Sequence, residues 1–280
     1  AYTGGHPISP DVIRFFRACG LNLKQCYGLT ETCGIFQVQP DDEVKPETVG
    51  KALPHTEVKI SQDQEVMVLS PSVFTGYYND YEATEKTFEN GWLLTGDAGY
   101  FDDDGHLVII GRKQDIIRDK EGNAFSPDFI ETRLKFSLYI KEAVTFGEGR
   151  PFITALINID QGNAGNWAED RMIPYTTYTD LSQRPEVEQL IVEEVNRVNA
   201  QLPQPMKIKR FILLYKLLDA DDEELTRTGK VRRRFVYGLY LPMIEAMYQG
   251  LDDIRVKGKV RYRDGQVGMI ETTARIITVF

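Results

Sequence analysis

The chain of 280 residues carries 33 Lys plus Arg against 42 Asp plus Glu, a formal charge of −9 that argues against non-specific nucleic-acid binding. At 42% hydrophobic, 11% aromatic and 27% charged residues, the composition is globular; it excludes the disordered and fibrous classes and leaves room for a full core. No apolar run approaches the roughly 18 residues of a membrane span, and the opening AYTGGHPISP lacks the basic and apolar regions of a signal peptide, so a cytoplasmic chain is expected.

Tyr2-Thr3-Gly4-Gly5 reads as a strand ending in a glycine turn with nothing before it, so the chain is expected to be a piece of a longer protein. Ser9-Pro10-Asp11 combines an N-cap, a proline at the first helical position and an acid in the first turn; Val12, Ile13, Phe15, Phe16 and Cys19 follow at helical spacing until Gly20. Cys19, Cys26 and Cys33 form no CxxC pair and read as reduced thiols. A strand over 23–27 runs into the turn YGLTE, and 56–75 alternates strand-like runs with polar breaks. Further short strands are expected at 92–95 and on both sides of the Asp104-Gly105 turn.

Beyond Gly111 the texture becomes α+β. A small strand pair is predicted at 116–118 and 123–125, a helix capped by Ser126-Pro127 through about Phe136, and apolar strands at 143–147 and 153–159. Then come a helix over 185–201, a strand over 208–215 and one helix from about Val231 to Met247. Two alternating runs, 256–262 and 267–280, flank Asp264-Gly265 as a hairpin. The domain boundary is expected within GRKQD, residues 111–115.

Four polar clusters stand at strand ends or in loops. In QCYGLTE, Gly28 frees the backbone to turn, Thr30 offers a hydroxyl to an anionic oxygen and Glu31 offers a hard oxygen to Mg²⁺. The alternative there is a turn with a Thr/Glu helix cap. In GWLLTGDAGY, Asp97 is placed to accept two hydrogen bonds from vicinal sugar hydroxyls, or is an ordinary Gly-Asp turn. In GRKQDIIR, Arg112 supplies a planar donor to the same ribose or to a phosphate within a polar run that suits a hinge; the alternative is a solvated linker. In ELTRTGKVRRR, Gly229 lets the backbone come close and Lys230 puts a flexible ammonium within reach of a carboxylate or phosphate. The following arginines read as a solvated helix face, with DADDEE as counter-charge.

Taken in order, GGHP, YGLTE, TGD, GRKQD and, about 115 residues later, TGK resemble the adenylate-forming superfamily of acyl-CoA synthetases, luciferases and peptide-synthetase adenylation domains. The resemblance runs over most of residues 2–248. Within it, IETRLKFSLYIKEAVTFGEGRPFITALINID and the insertion WAEDRMIPYTTYTDLSQRPEV look most like bacterial long-chain fatty-acid–CoA ligases. It implies a β-rich part of the large adenylation domain over 1–111, with distorted barrel and sheet elements, then a small mobile α+β lid over 112–249 and a hairpin-like tail over 250–280. It further implies ATP or AMP, Mg²⁺, CoA and a fatty acid as ligands. Gly5 and His6 would lie along the adenine, with Tyr27 on its other face and Gly28 in the same turn; Thr30 would contact phosphate and Glu31 would hold Mg²⁺. Asp97 and Arg112 would clasp the ribose, and Gln114 is the position about which the lid rotates. Lys230 would bridge the carboxylate and the α-phosphate, and Arg118 and Gly122 would face CoA.

The chain departs from the family in three ways. The family's Ser/Thr/Gly-rich phosphate-binding loop, expected far upstream of GGHP, is not within these 280 residues, so inactivity alone is expected; the hinge position is Gln114 rather than Asp or Lys; and Gln64-Glu65 stands where Gly-Glu is usual. An aryl- or short-chain ligase and a non-catalytic partner-binding module are the competing readings. Arg255, Lys257, Lys259, Arg261 and Arg263 read as charges guarding an edge strand, with attraction to anionic lipid as the alternative.

Overall fold

In the computed structural model the chain divides into two compact units, Ala1–Ile116 and Ile117–Phe280. The structure describes all residues except 6, 7, 228, 262–266 and 280, and the backbone alone for 258–261, 267, 269 and 270.

The first unit opens with β1 (Tyr2–Thr3) and α1 (Pro10–Ala18). The Ser9 hydroxyl accepts from the Asp11 N–H at 3.2 Å, and Pro10 sits where its missing N–H breaks no helical bond, so α1 begins where the local signals put it. β2 (Lys24–Leu29) runs parallel to β1, and β3 (Gly34–Val38) and β4 (Lys51–Ala52) extend this sheet antiparallel in the order β1-β2-β3-β4. A second sheet follows: β5 (Glu57–Ile60), β6 (Glu65–Leu69), α2 (Tyr81–Thr87), β7 (Phe88–Glu89), β8 (Trp92–Phe101) and β9 (Leu107–Arg112). Its strands run β5-β6-β8-β7, with β9 also on β8. Phe36, Val68 and Leu93 form one small core and Val49, Val66 and Leu107 another, and the Tyr27 ring packs on both. The described residues form open sheets and no closed barrel.

The second unit starts with the predicted hairpin, β10 (Ile117–Arg118) on β11 (Ala124–Phe125), and α3 (Pro127–Leu134), whose Ser126 cap accepts from the Phe129 N–H at 3.3 Å. Then come β12 (Ile140–Phe146), β13 (Ile153–Ile159), α4 (Gln161–Glu169), α5 (Tyr178–Ser182), α6 (Pro185–Asn199), β14 (Ile208–Leu213), α7 (Arg233–Leu239), α8 (Leu241–Tyr248), β15 (Asp253–Arg261) and β16 (Val267–Thr278). All of β13 is buried, because it is an interior strand covered on both faces; hence its unbroken apolar run ITALINI.

The structure differs from the sequence reading at several points. The helix expected from about Val231 to Met247 is two helices, α7 and α8, separated at Tyr240. Pro242 causes the break: it has no N–H to donate and its ring is tolerated only in a first turn. The helices α2 and α5 are too short for a strong periodic signal, and α4, QGNAGNWAE, has too few apolar residues to show one. The boundary between units falls after Ile116, slightly beyond residues 111–115. The segment 250–280 is part of the second unit: β16 inserts between β14 and β15 in the sheet β12-β13-β14-β16-β15, and Ala274, Ile276 and Val279 are buried. β15, with exposed Arg255 and Lys257, is the edge strand. The Asp264-Gly265 turn lies outside the described residues.

Candidate nucleotide-binding site

Glycines shape one wall of a cleft in the first unit. A Cβ on Gly28 would collide with the Gly34 carbonyl and the Ile35 Cα, so only glycine lets β2 and β3 approach at the bulge after Tyr27. A Cβ on Gly4 would sit 2.8 Å from the Cys26 Sγ and 2.9 Å from its carbonyl oxygen. Between β2 and β3 the chain makes one 3-10 turn, Thr30–Thr32. The Thr32 hydroxyl accepts from the Leu29 N–H at 2.9 Å and donates to the Gly34 carbonyl at 2.7 Å. Capping thus falls to Thr32, which leaves Thr30 exposed and the Glu31 carboxylate outside the turn's own bonds. Glu31 Oε1 accepts from the Tyr77 hydroxyl at 2.7 Å, and this bond raises the tyrosine's pKa. Gly4, Gly5, Gly28, Thr30, Glu31 and Arg112 all line the cleft, of about 730 Å³.

Asp97 and Arg112 oppose each other across β8 and β9, and the guanidinium Nη1 lies 3.2 Å from Asp97 Oδ1. The other carboxylate oxygen accepts from the Tyr27 hydroxyl at 2.6 Å. Asp97 is only 8% exposed, and burial raises its pKa against the opposing pull of the Tyr27 bond and the Arg112 charge. Burial, then the Asp97 charge, pushes the Tyr27 phenol far above its ordinary value, so it remains a donor. The arrangement presents a partly desolvated carboxylate with spare lone pairs beside a largely exposed guanidinium, suited to a vicinal diol next to an anion.

Glu65, of the Gln64-Glu65 pair that departs from the family pattern, braces the Asp97–Arg112 pair from both sides. It is buried; Oε1 accepts from the Gly96 N–H at 2.9 Å and Oε2 from Lys113 Nζ at 2.7 Å. One carboxylate therefore ties the turn before Asp97 to the residue after Arg112. Gln64 has φ 65, a conformation that glycine adopts more readily, which is the physical content of the usual Gly-Glu. Nothing local in the sequence links Tyr77 to Glu31, 46 positions away.

Gln114 is exposed in a 3-10 turn, Lys113–Asp115, near the end of the first unit. His6 lies outside the described residues. Arg118, Gly122 and Lys230 belong to the second unit. Arg118 Nη1 donates to the Gly122 carbonyl at 2.9 Å, and Gly122 has φ 87. Lys230 is exposed on a tight hairpin: Leu225 pairs with Val231, Thr226 N donates to the Lys230 carbonyl at 2.7 Å, and Lys230 N donates to Thr226 Oγ1 at 3.0 Å.

Residues 1–78 match the family model for AMP-binding enzymes, and 114–252 match that for the AMP-binding enzyme C-terminal domain. The chain belongs to this adenylate-forming family. It is 34% identical over 249 residues to the long-chain-fatty-acid–CoA ligase FadD15 of Mycobacterium bovis, covering 89% of this chain and 42% of that protein. It is 29% identical to the peroxisomal long chain acyl-CoA synthetase 7 of Arabidopsis thaliana, covering 88% of this chain and 38% of that one. The chain thus spans less than half the length of these relatives. Among solved structures, apo MatB from Rhodopseudomonas palustris matches with TM-score 0.59 and 23% identity over 86% of this chain and 45% of its own. The o-succinylbenzoate CoA synthetase MenE of Bacillus subtilis, bound to an acyl-adenylate intermediate, matches with TM-score 0.54 and 24% identity over 83% and 44%. At that identity the structural likeness speaks to the fold.

Proposed function

We propose that this chain supplies the ribose- and magnesium-binding parts of the nucleotide site, and the lid with its lysine, of an ATP-dependent long-chain fatty-acid–CoA ligase. That enzyme converts a fatty acid, ATP and CoA into acyl-CoA, AMP and diphosphate through an acyl-adenylate. The observation that carries the reading is the Asp97–Arg112 pair, whose arginine lines the same cleft as Gly5, Gly28, Thr30 and Glu31.

A carboxylate is a poor electrophile, and bringing it to the α-phosphate of ATP opposes two anions. Lys230, exposed on its hairpin, is the cation that offsets this repulsion and the charge that develops at phosphorus. Asp97 and Arg112 hold the ribose, Gly5 borders the adenine, and the Thr30 hydroxyl meets a phosphate oxygen. Glu31 offers one hard oxygen, and no group of three or more metal-ligating side chains occurs among the described residues. That donor set suits a magnesium ion whose other ligands are phosphates and waters. Bound there, magnesium would lower the negative charge on the departing diphosphate. The segment 112–115 is the hinge about which the lid turns for the thiol step, and Arg118 and Gly122 border CoA.

The test is ATP–diphosphate exchange with a long-chain fatty acid, run on this chain and on the product of its complete reading frame. Exchange in the longer product and silence in the shorter one supports the reading; silence in both, with the longer product folded, overturns it. In the longer product, Lys230→Ala is expected to lower exchange by about 10²–10³-fold while sparing thioester formation from preformed acyl-adenylate.

A further inference from the structure

We infer that Glu224 is a positioning residue for Lys230, holding the base of the hairpin that presents the ammonium; the inference rests on the adenylation role proposed for that lysine. Glu224 is fully buried, whereas Thr226, Arg227, Gly229 and Lys230 are exposed. Its Oε1 accepts from the Tyr240 hydroxyl at 2.7 Å and lies 2.9 Å from Lys216 Nζ, and its Oε2 accepts from the Asp219 N–H at 2.9 Å. Its backbone closes the loop on both sides: Glu224 N donates to the Asp219 carbonyl at 3.0 Å, and its own carbonyl accepts from Arg232 N at 2.9 Å. Side chain and main chain of one residue therefore tie the hairpin to β14's exit at Lys216 and to the break between α7 and α8 at Tyr240.

The other end of the hairpin is held in the same manner. Arg233, the first residue of α7, donates from Nη1 to Glu131 Oε1 at 2.6 Å and from Nη2 to Oε2 at 2.8 Å, and to the Thr145 carbonyl at 3.0 Å. Glu131, on α3, is itself buried. Buried ion pairs seldom stabilise more than apolar residues of the same volume. What they add is direction: each bond fixes an angle as well as a distance, which a methyl contact does not. A lysine that must meet two anions within a fraction of an ångström needs such a base, since a displacement of about 1 Å costs on the order of 10²-fold in rate.

The test has two arms. On the present chain, Glu224→Gln and, separately, Tyr240→Phe are compared with wild type by amide hydrogen exchange. Exchange in 225–231 is expected to rise about tenfold or more while β12 and β13 keep their protection. In the complete enzyme the same variants are expected to lower kcat for ATP–diphosphate exchange by about 10–100-fold, with the KM for ATP and thioester formation from preformed acyl-adenylate within about twofold of wild type. Glu224→Asp, which keeps the charge, is expected to recover part of the loss. Unchanged exchange in 225–231, or equal loss of both half-reactions, overturns the inference. Should Lys230→Ala leave adenylation intact, the role of the lysine fails by itself, and the hydrogen-exchange arm still decides whether Glu224 holds the hairpin.

Discussion

The Tyr27 hydroxyl donates to the Asp97 carboxylate at 2.6 Å across 70 positions of sequence, joining the turn that carries Glu31 to the strand pair that carries Arg112. Tyr27 in β2 and the buried middle of β8 are thereby one object.

Tyr27→Phe removes the phenol's bond from a buried carboxylate. We expect a loss of about 1.5–3 kcal/mol of stability, the usual worth of a hydrogen bond to a charged group. The Asp97 pKa should rise further, because the Tyr27 bond is one of the two influences that now hold it down. Urea unfolding and an NMR titration of the Asp97 carboxyl read the two effects; no movement in either would show the bond to be incidental.

The Asp97 carboxyl titrates above its ordinary value of 3.8 because it is buried. As pH rises the unfolded chain gives up this proton first, so between the two values the native state binds more protons and stability falls. The cost is absent below the ordinary value and fully present above the folded one. Asp97→Asn is therefore expected to stabilise the chain at pH 7, with the advantage shrinking toward about pH 4. Urea midpoints at several pH values check the sign; an advantage that grows on acidification would contradict the account.

Gly28→Ala is expected to destabilise the first unit by about 1–3 kcal/mol. The added methyl meets the Gly34 carbonyl and the Ile35 Cα, which are backbone atoms with no rotamer to change. Thermal unfolding measures this, with Gly105→Ala as a comparison in open space, where only the φ of 79 opposes the substitution.

Ile276→Ala is expected to cost about 2–4 kcal/mol, the range for truncating a buried aliphatic side chain. Ile276 is 7% exposed and packs with Val144, Leu156, Ile212 and Met247 in the core of the second unit. Deleting 250–280 is expected to abolish cooperative unfolding of that unit, since β16 pairs directly with β14. A truncated chain with an unchanged transition would make the tail dispensable.

Local signals were enough for much of the secondary structure. Ser9-Pro10 and Ser126-Pro127 start their helices because a cap acts within four residues, and β13 reads as a strand because an interior strand needs apolar side chains on both faces. The order of the Gly, Thr-Glu, Asp, Arg and Lys motifs likewise sufficed for the family, since each is a short backbone device followed by a charge. What tertiary structure alone decided is which polar groups meet: Asp97 with Tyr27, Glu31 with Tyr77, Glu65 with Lys113, and Glu224 with Lys216 and Tyr240. Most of these pairs join residues dozens of positions apart, and side-chain periodicity carries no information at that range. The burial that raises the pKa of Asp97 and encloses Glu224 is likewise a property of the packed sheets, because desolvation depends on every neighbour in space and not on the residues beside it in the chain.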